Sequence, residues 1–494
     1  MKHIATILLI VVTVAGVQAQ HRTITLDMKQ VISIANDSSL TAFRYKNLYL
    51  SSYWTFKNYK GKRLPSLDLA LRPANYYRYL TSRYDFENNI DVYREQKSYS
   101  ASAGVTLSQN FDPIGGSFFV EANTEYLRNF GDNTYNQFST TPIRIGYHYS
   151  TLGYNEFKWD RRIEPLKYER AKSEYLYNSE SVAATAVSYF FALAAAQTQY
   201  DMAVEQAAAC DSLLLIGERR YKIGSVRKND LLSLRLDAVN ARNSITTAEI
   251  ARQRANLNLV SFLGLPNGTD IKILLPGSPS LPAIDVEKAL EMMRQNSYMI
   301  KEKMQAVVEL EKELDRTNKT THFNASVNAS VGFNQAADNF SGSYRDPMRQ
   351  DIATLSLKIP IIDWKQGRGQ RNIAKNNLSI ANIEAQQKMI ELEQDVIITT
   401  AELNSRYQLL TSAEQALILA NDMYKETRSL FQLGTGTVAD LTTAQQKLLN
   451  AQNSYIQSMQ NYWACYYELR KLTLYDFEFN ISLSDKFDYD NLVK

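Results

Sequence analysis

The sequence predicts a mostly α-helical, exported chain that also carries a membrane β-barrel portion. Three observations predict it. The chain opens on an export signal. It holds several segments of strict apolar/polar alternation. It repeats itself, and each repeat contains helical runs too long for a compact globule.

The N-terminus comes first. Lys2 and His3 form a short polar region, residues 4–17 are an apolar run, and Val17-Gln18-Ala19 offers a small-residue cleavage site. Residues 1–19 therefore read as a signal peptide, leaving Gln20 as the first mature residue. The run is shorter than the ~20 residues a spanning helix needs. No Cys follows the cleavage site, which argues against a lipid anchor there. The best remaining apolar stretch, residues 183–196, is interrupted by Ser188 and Tyr189 and reads as a buried helix face. An exported chain without a spanning helix is either soluble outside the cytoplasm or embedded through strands. The 494 residues carry a formal net charge of only +3, which gives no footprint for nucleic acid. Tyr is frequent, at 31, as suits surfaces that are half apolar and half wet. Cys210 and Cys465 both fall in helical patterns and read as buried thiols rather than a bridge.

Shifting the chain by 210 residues aligns its halves. Asn240-Ala241-Arg242-Asn243-Ser244 then matches Asn450-Ala451-Gln452-Asn453-Ser454, Gly224 matches Gly434, and Asp230-Leu231 matches Asp440-Leu441. Further upstream, Leu26-Asp27 resembles Ile284-Asp285 at a shift of 258. The two shifts differ by 48, so the first half carries an insert near residues 62–110. The expected organisation is a first helix–strand–helix repeat over 20–265, a linker over 266–283, a second repeat over 284–475 and a tail over 476–494. Gly and Pro are so dense between Gly264 and Pro282 that this stretch is expected to be irregular.

Within each repeat the order is helix, strands, very long helix, tight turn, long helix. Residues 27–60 and 284–318 read as helices, with Asp27 and Gln30 spaced for a capping box. Strands follow. Phe323, Ala325, Val327, Ala329, Val331 and Phe333 alternate with polar residues, as do Ala353, Leu355, Leu357 and Ile359. In the first half Phe118, Val120 and Ala122, then Ile143, Ile145 and Tyr147, do the same. The insert adds Leu67, Leu69 and Leu71, and Tyr99, Ala101, Ala103, Val105 and Leu107. Residues 370–430 contain neither Pro nor Gly, and ~60 helical residues span on the order of 90 Å. Residues 166–216 behave similarly. Helices of that length point to a coiled coil or a helical tube.

Polar faces of Ser, Asn and Thr suit a watery lumen, and the strands have about the 9–11 residues a membrane strand needs. Four to six strands cannot close a barrel, for which roughly eight is the lower limit, and an open edge in lipid leaves backbone groups unpaired. Several chains must therefore share one barrel.

With these features in order, the chain resembles the TolC-like outer-membrane factors over essentially its whole mature length. The resemblance rests on the two repeats, the β-to-α junction Ile359-Pro360-Ile361-Ile362-Asp363-Trp364, the Leu263-Gly264-Leu265-Pro266 that ends the first half, and the two Gly–Asp turns. It implies a homotrimer with a shared 12-stranded barrel, four strands per subunit, continuing into a long periplasmic α-helical tunnel. The insert leaves room for an extra hairpin per subunit. The turns at 224–230 and 434–440 correspond to the periplasmic tips, so Gly224, Asp230 and Gly434 are candidates for adaptor contact. Asp440 matches a constriction aspartate. In a trimer it would form a ring of three carboxylates that attracts cations and raises its members' pKa values. A second constriction aspartate is replaced by Thr443, and Thr437 lies beside the aperture. The family's closing Arg and Tyr links fall at Gly436 and Phe431, which cannot form them.

No chemistry is expected. The four His are scattered at 3, 21, 148 and 322. Gly367-Arg368-Gly369 lacks the Lys-Ser/Thr of a phosphate loop. No cofactor or metal is expected, and the chain does not read as an enzyme. The functional expectation is an exit duct for small molecules in the outer membrane, in contact with its lipid and working with a periplasmic adaptor protein and an inner-membrane pump. The alternatives are a type I protein-secretion duct and, in another class, a periplasmic coiled-coil structural protein.

Overall fold

The computed structural model describes residues 22–130, 134–224, 226–277, 279, 283–433, 435, 437–489 and 492. The expected signal peptide, Gly434 and Gly436 lie outside the described residues.

In chain order, β1 (Arg22–Asp27) leads into α1 (Met28–Ser38) and α2 (Leu40–Gly61). Four strands follow: β2 (Ser66–Asp85), β3 (Ile90–Asn110), β4 (Ser117–Phe130) and β5 (Tyr135–Tyr149). Helices α3 (Glu156–Lys222) and α4 (Lys228–Leu263) close the first half. Strand β6 (Thr269–Leu274) precedes α5 (Val286–Asn296) and α6 (Tyr298–Thr320). Strands β7 (Asn324–Ala337) and β8 (Met348–Lys358) then precede α7 (Gln366–Gln432) and α8 (Val438–Thr473).

The internal duplication is literal in the helices. Both α3 and α7 have 67 residues, both α4 and α8 have 36, and each pair begins 210 positions apart. The helices expected at 27–60 and 284–318 are each broken once, at Ser39 and Ser297, which are equivalent at the shift of 258. Both serines are buried and leave the helical conformation, with ψ of 143° and 125°. Ser39 restarts its helix by accepting the Ala42 N–H on its hydroxyl at 3.1 Å. The capping box forms as the spacing predicts. Asp27 accepts from the Gln30 N–H at 2.8 Å, and Gln30 Oε1 accepts from the Asp27 N–H at 3.0 Å.

The chain divides into two compact units. One comprises the described parts of Met1–Leu48, Ser173–Ser297 and Glu391–Lys494, and it is mainly helical. Its core includes Val182, Ala183, Ala186, Val187, Phe190, Phe191 and Leu193, all buried. The helix that carries them, α3, is long and apolar enough to cross a membrane by length and composition, and 44% of its most apolar window is buried in the interior. Cys210 and Cys465 are separate buried thiols.

One expectation is corrected here. The linker between the halves is not irregular throughout, because Thr269–Leu274 is a strand that pairs in parallel with Arg22–Asp27. Neighbouring side chains from the long helices complete it. Asn256 donates to the Thr269 carbonyl at 2.8 Å and accepts from the Ile271 N–H at 2.9 Å, while Gln197 accepts from the Ile273 N–H at 3.1 Å. The flanking Gly and Pro residues concealed a six-residue strand whose partner lies 247 residues away.

The second unit comprises Tyr49–Lys172 and Tyr298–Ile390. It holds a six-stranded antiparallel sheet in the order β2-β3-β4-β5-β7-β8, so the four strands expected of the family are joined by the extra hairpin. Three bulges interrupt it, at Arg72/Asn75, Glu121/Asn123 and Thr140/Ile143. Two of these coincide with Pro73 and Pro142, which lack the N–H a regular ladder requires. Ion pairs tie the helices beside the sheet, including Lys312 to Asp160 at 2.8 Å and Lys303 to Glu384 at 2.8 Å.

Candidate functional site

Two regions could serve a function: the tight turns between long helices and the two-sided sheet.

In the first turn, Gly224 has φ +78° with nothing near the position of an added Cβ, so backbone conformation alone calls for glycine there. Asp230 lies in the first turn of α4, where the helix dipole favours a carboxylate. It receives the Arg227 side chain at 3.2 Å, and Arg227, at the N-cap, makes no side-chain cap.

The second turn is built differently. Thr437 and Asp440 form a reciprocal capping box. The Asp440 N–H donates to Thr437 Oγ1 at 3.1 Å, while the Thr437 N–H donates to Asp440 Oδ2 at 3.2 Å and its hydroxyl donates to the same oxygen at 2.6 Å. The Thr437 hydroxyl and then its N–H hold the Asp440 carboxyl below the usual carboxylate range. Thr437, Asp440 and Thr443 are all exposed and recur every three residues, so they share one face of α8. Leu441 and Ala444 turn inward. Phe431 lies in the last turn of α7. The structure thus joins Thr437 to Asp440. The resemblance pointed to both positions, but not to their mutual cap.

The sheet has two distinct faces. One row runs Leu67, Leu107, Val120, Ile145 and Val331 across five strands before Asp351 on β8. The adjacent row runs Asp68, Thr106, Glu121, Arg144, Gly332 and Gln350. On β3 the apolar Ala103, Val105 and Leu107 are exposed, while Ser102, Gly104, Thr106 and Ser108 are partly sheltered. The polar face therefore lies on the more enclosed side, where Glu121 pairs with Arg144.

Aromatic rings flank the aliphatic rows at both ends. At one end Phe111, Phe118, Tyr147 and Tyr149 form a chain, with centroids 5.3, 4.9 and 6.3 Å apart. At the other, Tyr99, Tyr126 and Phe138 continue through Phe340 to Tyr344, at 6.3, 5.0, 5.9 and 5.2 Å. The last two belong to the β7–β8 loop, which is fastened by Tyr344 to Thr124 at 2.9 Å and by Ser343 to Thr140 at 2.8 Å. Sequence alternation gave the faces. It could not show that a loop more than 200 residues away completes the second ring chain.

Another cluster escaped the sequence reading. Arg470 on α8 is half-buried between Glu180 on α3, at 3.0 Å, and Asp476, at 3.4 Å, and Tyr466 donates its hydroxyl to Asp476 at 3.1 Å. Burial opposes the Arg470 charge, and Glu180 leads the groups that overcome this and hold its pKa above the ordinary value. No sequence signal links positions 180 and 470. Among the described residues, no group of three His, Cys, Asp or Glu side chains could hold a metal ion.

Residues 306–473 match the family model described as outer membrane efflux protein. No curated protein matches the chain. Solved structures match over nearly the full length. The CmeC outer membrane channel of Campylobacter jejuni is 13% identical with a TM-score of 0.64, covering 94% of this chain and 90% of that one. CusC is 14% identical at 0.61, covering 90% and 91%, and the outer-membrane channel OprN is 13% identical at 0.62, covering 91% and 90%. At these identities the likeness establishes a shared fold.

Proposed function

We propose that the chain is a TolC-like outer membrane efflux protein, a channel rather than an enzyme, and that it is the outer-membrane exit duct of a small-molecule efflux system; the match of residues 306–473 to the efflux-protein family model and the shared fold support this. In this reading three copies assemble, the helical part lies in the periplasm, and the duct meets a periplasmic adaptor and an inner-membrane pump that supplies the energy. Residues 1–19 act as the export signal, and the two repeats, 20–265 and 284–475, build the wall on either side of the 266–283 linker.

One observation carries the reading. The sheet presents an exposed aliphatic face between two aromatic chains, with a polar face behind it, which is the pattern of a membrane barrel wall. A coiled-coil structural protein has no use for such a sheet. The helices add support. Ile373, Ile380, Ile383, Ile390 and Ile397 stand exposed along α7 at heptad-like spacing, as a seam awaiting a neighbouring helix would.

In the trimer, three Asp440 carboxylates on the exposed face of α8 form the periplasmic constriction, flanked by Thr437 and Thr443. Gly224, Asp230 and Gly434 are the positions that meet the adaptor, and closure proceeds without a Tyr or Arg link at Phe431 or Gly436. Opening is a change of helix packing at these tips.

Single-channel recording of detergent-purified protein in a planar bilayer tests this. Discrete steps from a trimer, blocked by multivalent cations on the tip side and less so in Asp440→Asn, are expected. A soluble, non-conducting monomer would overturn the duct. Conducting trimers with unchanged block in Asp440→Asn would remove the carboxylate ring alone. A type I secretion duct is distinguished by cargo: deleting the gene would then abolish export of a protein and leave small-molecule accumulation unchanged.

A further inference from the structure

The insert is the chain's main departure from its family, and its place in the sheet is specific. Strands β2 and β3 do not form a separate ornament. Strand β3 pairs with β4 without interruption from Lys97↔Phe130 to Asn110↔Ser117. Both faces continue across the hairpin: Leu67, Leu69, Leu71, Val105 and Leu107 extend the apolar face, while Asp68, Thr106 and Ser108 extend the polar one. Tyr99 also joins the aromatic chain through Tyr126.

On β4 the two aromatic chains are anchored at Phe118 and Tyr126, eight steps apart, or about 27 Å along a strand at ~3.4 Å per residue. That is close to the ~25 Å apolar band of a membrane barrel, allowing for tilt. Leu67, Leu69 and Leu71 lie level with this band. The free edge of the sheet within the band is therefore β2, and the opposite free edge is β8. Lipid offers nothing to pair with either backbone.

We propose that the extra hairpin is part of the barrel wall. In the trimer, β8 of each subunit then pairs with β2 of the next, and three six-stranded sheets close an 18-stranded barrel. The occupant of each open edge is a second copy of this chain. Strand direction permits it, because β2 and β8 run oppositely in a six-strand meander and the closed count is even. Diameter grows roughly linearly with strand number, so the lumen at membrane level would have roughly twice the cross-section of a 12-stranded barrel. Residues 90–96 of β3 have no partner on β4, so three two-stranded ribbons would rise on the order of 20 Å above the wall.

This inference rests on the trimeric duct proposed above, and cross-linking separates the two. Leu355→Cys on β8 is combined in turn with a single Cys at each position from 66 to 72 on β2, and in a parallel series with each from 118 to 124 on β4. The variants are oxidised in native outer membranes. The expected result is a shift from monomer to covalent trimer on denaturing gels at one β2 register, with none in the β4 series. Covalent trimers in the β4 series would mean that the hairpin leaves the wall and a 12-stranded barrel closes without it. Non-covalent trimers that cross-link at no β2 position would equally overturn the proposal. Monomers without any cross-link would overturn the trimeric duct itself. A nitroxide at Leu69, quenched by lipid-dissolved oxygen, gives an independent readout; quenching only by a water-soluble relaxant would place β2 outside the wall.

Discussion

Removing the guanidinium at Arg470 should destabilise the helical unit more than any exposed charge change. The side chains of Arg470, Glu180 and Asp476 are only 13%, 11% and 2% exposed, so their charges are poorly screened. At an effective dielectric near 20, two unit charges about 3 Å apart attract by ~5 kcal/mol, most of which desolvation offsets while the pair is intact. Arg470→Met keeps most of the apolar stem but leaves two buried carboxylates without their cation. Losing one partner of a buried pair costs about 3–5 kcal/mol. The loss should appear as a lower urea midpoint for the helical circular dichroism signal of detergent-solubilised protein, with an unchanged slope. The combination Arg470→Met, Glu180→Gln, Asp476→Asn should recover most of it, since no buried charge then remains unpaired. A loss under ~1 kcal/mol, or a combined variant no better than the single one, would refute the electrostatic account.

The remaining predictions concern the tip, the sheet and the thiols. Asp440 has a depressed pKa in its capping box, so its contribution is complete above the unfolded value near 4 and is lost as pH falls through the lower folded value. Amide protection at the start of α8 should therefore exceed that of Asp440→Asn at neutral pH and converge with it in acid; a gap that persists at pH 2 would contradict the cap. Gly332 sits beside the β5 bulge, where an added Cβ would lie 2.6 Å from the Ile143 carbonyl oxygen and 2.8 Å from the Arg144 Cα. Gly332→Ala should cost about 1–3 kcal/mol and lower the yield of assembled protein in the outer membrane, and wild-type yield would show that the bulge adjusts freely. Burial pushes the Cys465 thiol up to about 11 and raises that of Cys210. Both should resist a thiol-specific reagent at pH 8 until the protein is unfolded, whereas rapid labelling of native protein would show the helices open there.

What was legible in the sequence was periodic or local. Alternation of period two gave the strands and their faces, because one face had to be apolar along its whole length. The repeat at 210 residues gave the long helices, whose lengths agree to the residue. The Asp27–Gln30 box was legible because its partners lie three positions apart. Illegible features were those made by distant partners. The β1–β6 pair joins segments that each look too short to matter. Arg470 reads as one more cation on a helix surface until α3 supplies Glu180. The breaks at Ser39 and Ser297 sit in otherwise unremarkable helical patterns. At the tips, the resemblance supplied the positions, but the contrast between the capped Asp440 and the Arg227-bound Asp230 depends on side-chain geometry that spacing alone does not settle.

The long helices of the two halves agree in length, while the six-stranded sheet takes four strands from the first half and two from the second. A hairpin explains how both can be true. Its chain leaves and returns at one end of the sheet: Gln109 and Asn110 at the end of β3 donate to the carbonyls of Arg63 and Lys62, just after α2. Material added this way shifts nothing downstream in space, because entrance and exit nearly coincide. With the hairpin in the wall as proposed above, circumference is set by the strand count of the first half alone, two strands per copy at a time, while the lengths of the long helices stay the same in both halves.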